Sequence, residues 1–432
     1  MKASLYNTIL FPDSQHALIY NALSDMFLAI NKDNFSFNGD DLLSVTDRNL
    51  IDKLIGVGAL VNKDIDETAV LTDMIREYDH SDDIFHLHIN PTLDCNFRCH
   101  YCYESHLAGS RMKEDTIESV KRLIDRVISG IPSLKGFSLS FFGGEPLIGF
   151  GKVARPLTEY LIDRCREAGI DTGVHYTTNG YLITDEMMEF FAKSDTSFQI
   201  TLDGHRDLHD TVRRKADGSG SYDKIVSNIR KLALRGCPVL VRINFTKDNI
   251  HSVPAIIEAF KAFEDEAKKY IRFDLQQVWQ DRDDETKSDV DEEILRLVRL
   301  FHVDGLNVTC SFGHDRVRNS CYGDKRHYAL VNYDGYVFRC TARDFTEKNR
   351  AGVLKEDGSI EWFNNQLECR LAAKFSKRVC HTCRIAPICG GGCCQQAIEH
   401  TDPDKCMYGY TDKDMDRLIA NRFEYRFIQG KI

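Results

Sequence analysis

The sequence predicts an α/β protein built on a partial (β/α)6 barrel, with a small α+β module before it and a cysteine-rich domain after it. Two observations carry this prediction. Strand patterns alternate with amphipathic helix patterns six times after residue 84, which is typical of parallel sheets. Ten of the fifteen cysteines then fall between Cys310 and Cys406, where the helical periodicity fades. We therefore expect domains at residues 1–83, 84–305 and 306–432.

Composition and charge argue against several classes of function. Of the 432 residues, 42% are hydrophobic and 28% are charged, which is ordinary for a folded globular protein. The formal charge of −10, with no basic stripe, argues against nucleic acid as the main partner. No apolar run approaches the ~20 residues of a membrane span, and the start of the chain lacks the features of a signal peptide. Fifteen cysteines in such a chain indicate metal ligation in a reducing cytoplasm.

The elements are predicted from hydrophobic periodicity, taken in chain order. The first module contains a helix-like stretch at residues 50–60, and its acidic segments, residues 64–67 and 78–83, are interpreted as a connector. Barrel strands are predicted at residues 85–89, 137–141, 175–177, 198–202, 239–243 and 273–276. Helices are predicted at residues 116–128, 157–168, 184–192, 222–234 and 253–263, and a closing helix at residues 412–427. Asp334-Gly335 and Asp357-Gly358 predict turns, the first of them in a hairpin.

The most informative motif follows the first barrel strand. Cys95, Cys99 and Cys102 are spaced as CxxxCxxC. Three thiolates from one short loop suit a four-iron cluster and leave one iron open for a small molecule. The alternative is a structural zinc site or three unrelated buried thiols. Zinc usually takes four ligands, and the short spacings near Cys102 supply no fourth cysteine, although His100 and His106 are nearby.

In this strand context the chain resembles radical S-adenosylmethionine (radical SAM) enzymes, over residues 85 to about 410. The resemblance implies that the three cysteines hold a 4Fe–4S cluster, at which S-adenosylmethionine is cleaved to a 5′-deoxyadenosyl radical. It also implies a cofactor site whose residues follow successive strands. The matching residues are Tyr101 beside the third cysteine, Gly143, Gly144 and Glu145 in a GGEP motif, Asn179 in TNG, Thr201 in TLDG, Arg213, and Asn244. Arg214 is an alternative to Arg213, and a satisfied turn or cap is the alternative for each polar residue.

The later cysteines are similar to the SPASM pattern, which binds two auxiliary 4Fe–4S clusters, so the resemblance implies three clusters in all. The implied ligands are Cys380, Cys383, Cys389 and Cys406 for a distal cluster, and Cys321, Cys340 and Cys393 for a proximal one. Cys310 is a candidate fourth ligand of the proximal cluster; otherwise that iron is open to substrate. Zinc is again the alternative, because Cys380-x2-Cys383 is also a zinc-like pair. Cys165, Cys237 and Cys369 are predicted to be buried apolar residues, whereas Cys394 adjoins a ligand.

Radical SAM enzymes with a SPASM domain mostly modify peptides and proteins. The resemblance therefore implies a maturase that crosslinks a ribosomally made precursor peptide through a thioether or carbon–carbon bond. Residues 1–83 have the size and position of a module that adds a leader-peptide strand to a sheet edge, and a mere packing extension is the alternative. Asp344, Arg343 and Glu104 are the polar candidates for catalysis. The expected electron donor is a flavodoxin or a ferredoxin.

Two other functions are considered. An anaerobic sulfatase maturase would have an aspartate directly after the second SPASM cysteine, where this chain has Thr341. A non-catalytic iron–sulfur scaffold or electron carrier would have no need of the GGEP and TNG motifs or of Arg213. The lack of that aspartate and the presence of these motifs both favour the peptide maturase.

Overall fold

A computed structural model describes residues 1–32, 37–38, 41–42, 47–215, 217–278, 281 and 287–432. These residues fold into two units. The barrel unit comprises Asp82–Ser311 and His327–Leu367. The cysteine-rich unit comprises Met1–Ser81, Phe312–Arg326 and Glu368–Ile432. The domain boundaries expected after residues 83 and 305 remain predictions.

The described strands are numbered in chain order. They are β1 Lys2–Ala3, β2 Asn7–Leu10, β3 His16–Asn21, β4 Met26–Asn31, β5 Phe37–Asn38, β6 Asp41–Leu42, β7 Leu60–Val61, β8 Ile84–Ile89, β9 Gly136–Phe141, β10 Asp171–Thr178, β11 Thr196–Leu202, β12 Val239–Phe245, β13 Ile271–Gln277, β14 Asn307–Cys310, β15 Tyr328–Val331, β16 Tyr336–Phe338, β17 Gly352–Leu354 and β18 Ile360–Trp362.

The described α-helices are numbered in the same way. They are α1 Arg48–Gly56, α2 Glu67–His80, α3 Glu114–Gly130, α4 Arg155–Ala168, α5 Asp185–Lys193, α6 Arg206–Val212, α7 Tyr222–Leu234, α8 Val253–Lys261, α9 Asp265–Lys268, α10 Lys287–Val303, α11 Gln366–Leu371, α12 Ala386–Cys389, α13 Cys394–Glu399 and α14 Asp412–Ile428.

The barrel unit is organised by one large sheet. Strands β8 to β14 lie side by side in chain order, and each is parallel to the next. β15 pairs with β8 in parallel and begins the antiparallel run β15 to β18. All six predicted barrel strands and the helices between them are present, so the predicted fold class is confirmed. β14 is a seventh parallel strand that the sequence pattern does not predict.

Alternation along the strands builds the core of the barrel unit. Successive strands each place fully buried apolar side chains on one face, among them Leu87, Leu139, Tyr176, Ile200 and Val241. Fully burying a side chain of this size stabilises a fold by about 1.5–3 kcal/mol. The rigid sheet therefore presents its carboxyl ends, and the loops that follow them, in a fixed order.

The cysteine-rich unit begins with the N-terminal sheet, in which β2, β3 and β4 pair antiparallel in that order. The connector predicted from the acidic segments is wrong, since residues 67–80 form α2. Asp66 caps this helix by accepting hydrogen bonds from the N–H groups of Thr68 (3.1 Å) and Ala69 (3.0 Å). Of the acidic residues that suggested a connector, Asp66 is thus the helix cap, Glu67 lies in the first turn, and Asp79 lies near the end of the helix. The predicted closing helix is α14.

Candidate active site

Three cysteines lie in the loop between β8 and α3. Cys95 and Cys99 are half-buried and Cys102 is exposed. Burial raises the pKa of Cys95 to about 12, with smaller contributions from the charges of Glu145 and Cys99. Burial also raises the pKa of Cys102 to about 11, with contributions from Glu104 and Cys99. The three thiols are therefore electrostatic neighbours around Cys99, as ligands of one cluster must be.

The side chain of Asp94 joins the two ends of this loop through hydrogen bonds. Its carboxylate accepts hydrogen bonds from the N–H of Cys95 (2.9 Å) and, fourteen positions further on, from the N–H of Gly109 (3.1 Å). The Sγ atom of Cys95 in turn accepts from the N–H of Phe97 at 3.4 Å. Backbone N–H groups that point at sulfur stabilise a thiolate, so the loop suits an anionic cluster.

The zinc alternative involves His106, whose Nε2 lies 3.5 Å from the Sγ of Cys102. His100 instead packs edge-on against the ring of Tyr101. Across the described ranges, the structure brings no three His, Cys, Asp or Glu side chains together closely enough to hold a single metal ion.

The glycine pair after β9 packs directly against the cysteine loop. A Cβ atom on Gly144 would lie 2.2 Å from the carbonyl oxygen of Asp94, and one on Gly143 would lie 2.5 Å from that of Thr92. Gly143 also has a φ of 99°, which disfavours other residues. The N–H of Gly144 donates to the Thr92 oxygen (3.2 Å) and the N–H of Glu145 to the Asp94 oxygen (2.8 Å). Because both positions are glycine, the backbone that follows β9 can contact the backbone of the cysteine loop directly.

Glu145 is completely buried and binds within the chain. Its carboxylate accepts from the hydroxyl of Thr178 (2.7 Å), the N–H of Asn179 (2.8 Å) and the N–H of Leu147 (3.0 Å). Burial raises its pKa, against the effect of these three hydrogen bonds. Glu145 therefore joins the ends of β9 and β10. Asn179 extends the connection, because its side-chain amide donates to the Oδ1 of Asn96 in the cysteine loop (2.8 Å).

A second buried network surrounds the hydroxyl of Tyr101. This hydroxyl donates to Asp203 (2.5 Å) and accepts from Arg213 (3.0 Å) and from the amide of Asn244 (3.3 Å). Arg213 also pairs with Asp203 at 3.3 Å. Asp203 and Arg213 are only 1% and 8% exposed, so this ion pair is shielded from water.

The electrostatics of this network favour a fixed arrangement. Burial disfavours the charge of Arg213, but Tyr101, Asp203 and Cys99 together hold its pKa well above the ordinary value. Burial raises the pKa of Asp203, and Arg213 opposes that shift. Arg213 thus places a permanent positive charge beside Cys99. Arg214, the alternative considered from the sequence, is exposed.

Asp203 is a site residue that the sequence analysis did not identify. It follows Thr201 in the TLDG motif, and the motif was interpreted only through the threonine hydroxyl. Thr201 is itself buried at the end of β11. An aspartate directly after a buried strand was the available signal, because such a position meets the ligand edge of a parallel sheet.

The three polar candidates for catalysis lie in different surroundings. Glu104 and Asp344 are half-buried neighbours, and each has one carboxylate oxygen that is shut off from solvent and has no hydrogen-bond partner. Burial, reinforced by the charges of Asp344 and Glu145, raises the pKa of Glu104 to about 8. Arg343 instead donates to the carbonyl oxygen of Ala342 at 2.9 Å. Glu104 and Asp344 are therefore brought together near Cys102.

A row of polar side chains also crosses the sheet, and the sequence analysis did not single it out. His88, Ser140, His175 and Ser197 occupy paired positions on β8 to β11. Burial lowers the pKa of His88 to about 3 and that of His175 to about 4. Both imidazoles are therefore neutral at physiological pH, and His175 is held by Ser197 through a 3.0 Å contact.

In the cysteine-rich unit, four cysteines form a second group. The charges of Cys383 and Cys406 reinforce the burial that raises the pKa of Cys380 to about 11. Cys383, Cys380 and Cys406 likewise add to the burial that raises the pKa of Cys389 to about 12. These four thiols are therefore electrostatic neighbours of one another. Cys321 and Cys393 lie in the same unit, whereas Cys340 and Cys310 belong to the barrel unit, Cys310 fully buried at the end of β14.

The remaining cysteines divide in an unexpected way. Cys165 and Cys237 are buried, as predicted for apolar residues, and so is Cys394. The prediction for Cys369 is wrong, because this residue is exposed. Its neighbour Arg370 faces inward and pairs with Asp324 at 2.9 Å, which turns Cys369 outward.

Comparison with known proteins agrees with this geometry. Residues 89–260 match the model of the Radical SAM superfamily. The chain is 23% identical over 328 residues to the cysteine-type anaerobic sulfatase-maturating enzyme of Clostridium novyi, covering 69% of this chain and 85% of that one. It is 22% identical over 370 residues to the radical SAM cyclopropyl synthase TigE of Paramaledivibacter caminithermalis, covering 76% and 71%.

A solved structure extends the likeness to nearly the whole chain. Streptococcus suis SuiB bound to the precursor peptide SuiA superposes with a TM-score of 0.52 at 14% identity, over 93% of this chain and 98% of that one. At that identity the likeness concerns the fold, which includes the residues before the barrel. None of the described helices is long and apolar enough to cross a membrane.

Proposed function

With a radical SAM domain at residues 89–260, the chain is an enzyme of that superfamily, and we propose that it crosslinks a ribosomally made precursor peptide. The observation that carries the proposal is the meeting of the three-cysteine loop, the glycine pair and the Tyr101–Arg213 network at the carboxyl ends of β8 to β12. An electron carrier needs a cluster but no cofactor-binding site beside it. When bound at the cluster, S-adenosylmethionine would supply the radical that abstracts hydrogen from the peptide.

The chain's own residues have distinct parts in this proposal. Cys95, Cys99 and Cys102 would hold the cluster, while Gly143 and Gly144, which pack against the cysteine loop, would let the backbone approach the cofactor. Arg213 offers its charge to the carboxylate of the cofactor, held in place by Asp203. Tyr101, Thr201 and Asn244 complete that side of the site. Glu145 and Asn179 keep the cysteine loop against the strand ends.

Glu104 and Asp344 are proposed to serve the substrate side. Their unpartnered oxygens are acceptors that a peptide N–H or side chain would satisfy. Arg343, half-buried and directly before Asp344 in sequence, is the third candidate. A two-electron crosslink releases a proton and an electron from the substrate. A pKa of about 8 keeps Glu104 mostly protonated at neutral pH. The neighbouring carboxylate of Asp344 would therefore accept the proton, and an auxiliary cluster would accept the electron.

The complete enzyme is proposed to hold three 4Fe–4S clusters, or about twelve irons per chain. The distal cluster would be bound by Cys380, Cys383, Cys389 and Cys406. The proximal cluster would be bound by Cys321, Cys340 and Cys393, with Cys310 as the candidate fourth ligand. We place the enzyme in the cytoplasm, where a flavodoxin or ferredoxin would supply electrons.

The direct test is mass spectrometry of a precursor peptide, encoded by a short reading frame beside this gene and co-expressed anaerobically with the enzyme. We expect the peptide mass to fall by two hydrogen atoms, with the crosslink located by fragmentation. An unchanged mass would contradict crosslinking. A sulfatase peptide converted to formylglycine would instead favour sulfatase maturation, which the relative from Clostridium novyi performs according to its name.

The N-terminal sheet offers an edge for the leader of such a peptide. β4 is an edge strand in the order β2-β3-β4, and α14 packs against β2 at the opposite edge. The N–H of Lys32 donates to Gln15 on the β3 side (2.8 Å), and Ile30 faces Ala17 in the same register. Because N–H groups alternate in direction along a strand, that of Ala29 points away from β3. This is the donor that strand addition requires.

Ala29→Pro is therefore expected to weaken leader-peptide binding about tenfold or more, since it removes one edge donor and leaves the β3 ladder intact. The measurement is fluorescence anisotropy with a labelled leader peptide. Ala29→Ser is the matched control, because Ala29 is exposed and serine keeps the N–H. Equal affinity of the two variants would mean that the leader does not dock on β4, and would favour the packing-extension interpretation.

A further inference from the structure

The N-terminal sheet and the distal cysteines share one hydrophobic core within the cysteine-rich unit. Its fully buried members from the start of the chain include Tyr6, Tyr20 and Leu71. They pack in the same cluster as Cys380, Ile385 and Ile419 from the end of the chain. Cys383 and Cys389 pack against this core. Two segments separated by about three hundred residues of sequence thus form a single packing unit around cluster ligands.

A buried ion pair joins the same segments at a second place. Arg422 on α14 is only 2% exposed, and its guanidinium donates to both carboxylate oxygens of Asp25 (2.9 and 3.0 Å). The same guanidinium donates to the carbonyl oxygens of Phe312 (2.9 Å) and His314 (3.0 Å). Bidentate, charge-assisted bonds of this kind define one geometry. The hairpin between β3 and β4 is therefore held by the C-terminal helix.

A third connection lies at the end of α2. The Nζ of Lys374 is 2.6 Å from Asp79, and both side chains are less than 5% exposed. Lys374 directly precedes Phe375, which belongs to the shared core. Breaking a buried pair leaves an uncompensated charge, so this contact fixes α2 relative to the cysteine segment.

Tyr6 brings the N-terminal segment to the cysteines themselves. Its side chain is fully buried, and its hydroxyl lies within electrostatic range of the Cys383 thiol. None of the functions proposed above uses Tyr6 or Leu71. Both are instead buried in the core against which Cys383 packs.

We propose that the N-terminal segments around Tyr6, β3 and α2 complete the distal cluster site, with Tyr6 and Leu71 as positioning residues, so that cluster loading and folding of the N-terminal sheet stabilise each other. A group that binds only the folded state stabilises it by mass action, and metal binding is coupled to folding in this way. The coupling is reciprocal. It deepens the proposed function and rests on it for the distal cluster itself. One consequence is that the leader-docking edge of β4 is formed only in protein whose distal cluster is loaded.

Hydrogen exchange of the full chain, measured by mass spectrometry, tests whether cluster loading stabilises the N-terminal sheet. In wild-type protein, anaerobic reconstitution with iron and sulfide is expected to slow exchange in β3 and α2 at least tenfold. Cys383→Ala should abolish this protection. Cys95→Ala, which removes a ligand of the cysteine loop in the barrel unit, should retain it. Equal exchange in β3 and α2 with and without reconstitution would overturn the proposal, as would equal protection in the two variants.

Iron content tests whether the folded N-terminal segment stabilises the bound cluster. Leu71→Ala is expected to lower bound iron by about four per chain and to speed iron release to a chelator. Leu54→Ala is the matched control, because Leu54 is also fully buried in the N-terminal module but belongs to a separate core. Equal iron loss in both variants, or in neither, would overturn the assignment of Leu71. These readouts need no peptide, so a failed crosslinking assay leaves them standing.

Discussion

Gly144→Ala is expected to lower release of 5′-deoxyadenosine by about 100-fold or more. The added Cβ would lie 2.2 Å from the carbonyl oxygen of Asp94 and 2.7 Å from the carbonyl carbon of Leu93. These are backbone atoms, so no flexible side chain can move aside. The cysteine loop must shift, and a displacement of about 1 Å at a reacting centre costs on the order of 100-fold in rate. The measurement is chromatographic quantification of 5′-deoxyadenosine from reconstituted protein.

The control for Gly144 is Gly151→Ala. Gly151 lies a few residues further along, and a Cβ there meets nothing within 4 Å. This variant should release 5′-deoxyadenosine at the wild-type rate with wild-type iron content. If Gly144→Ala behaved like Gly151→Ala, the contact between the glycine pair and the cysteine loop would have no role in the chemistry.

Arg213→Gln is expected to lower the free energy of unfolding by about 3–5 kcal/mol, because it leaves the charge of Asp203 buried and unpaired. It should also weaken binding of S-adenosylmethionine, since the site loses the positive charge proposed to meet the cofactor's carboxylate. Chemical unfolding and isothermal titration calorimetry measure the two effects.

Two control variants distinguish the loss of the buried ion pair from the loss of a surface charge. Arg214→Gln changes the exposed neighbour and should alter stability by less than about 0.5 kcal/mol. The double variant Asp203→Asn, Arg213→Gln should recover much of the lost stability, because it removes both charges together. Recovery of cofactor binding is not expected. Equal unfolding curves for Arg213→Gln and Arg214→Gln would contradict the importance of the pair.

The fold was predictable because its periodicity is local. Each barrel strand and helix has its own alternating or amphipathic pattern, so β8 to β13 and the helices between them follow from short windows of sequence. β14 has only four residues at the sheet edge, too few for a pattern. The helix α2 was hidden because its acidic cap and first turn resemble a linker.

The site was predictable only where spacing along the chain carries the chemistry. The cysteine loop and the glycine pair are contiguous motifs. The choice between Arg213 and Arg214 needs the direction in which each side chain points, and the partnership of Asp203 with Tyr101 joins residues about one hundred positions apart. Such contacts arise from tertiary packing, and a single sequence does not encode them in any local pattern.

The release of 5′-deoxyadenosine shows whether the three-cysteine loop generates a radical. Protein purified and reconstituted without oxygen is incubated with S-adenosylmethionine and dithionite, beside a variant in which Cys95, Cys99 and Cys102 are all alanine. We expect the wild type to release 5′-deoxyadenosine and methionine and the variant to release neither. Release of neither product by the wild type, or the same release by both proteins, would contradict this expectation.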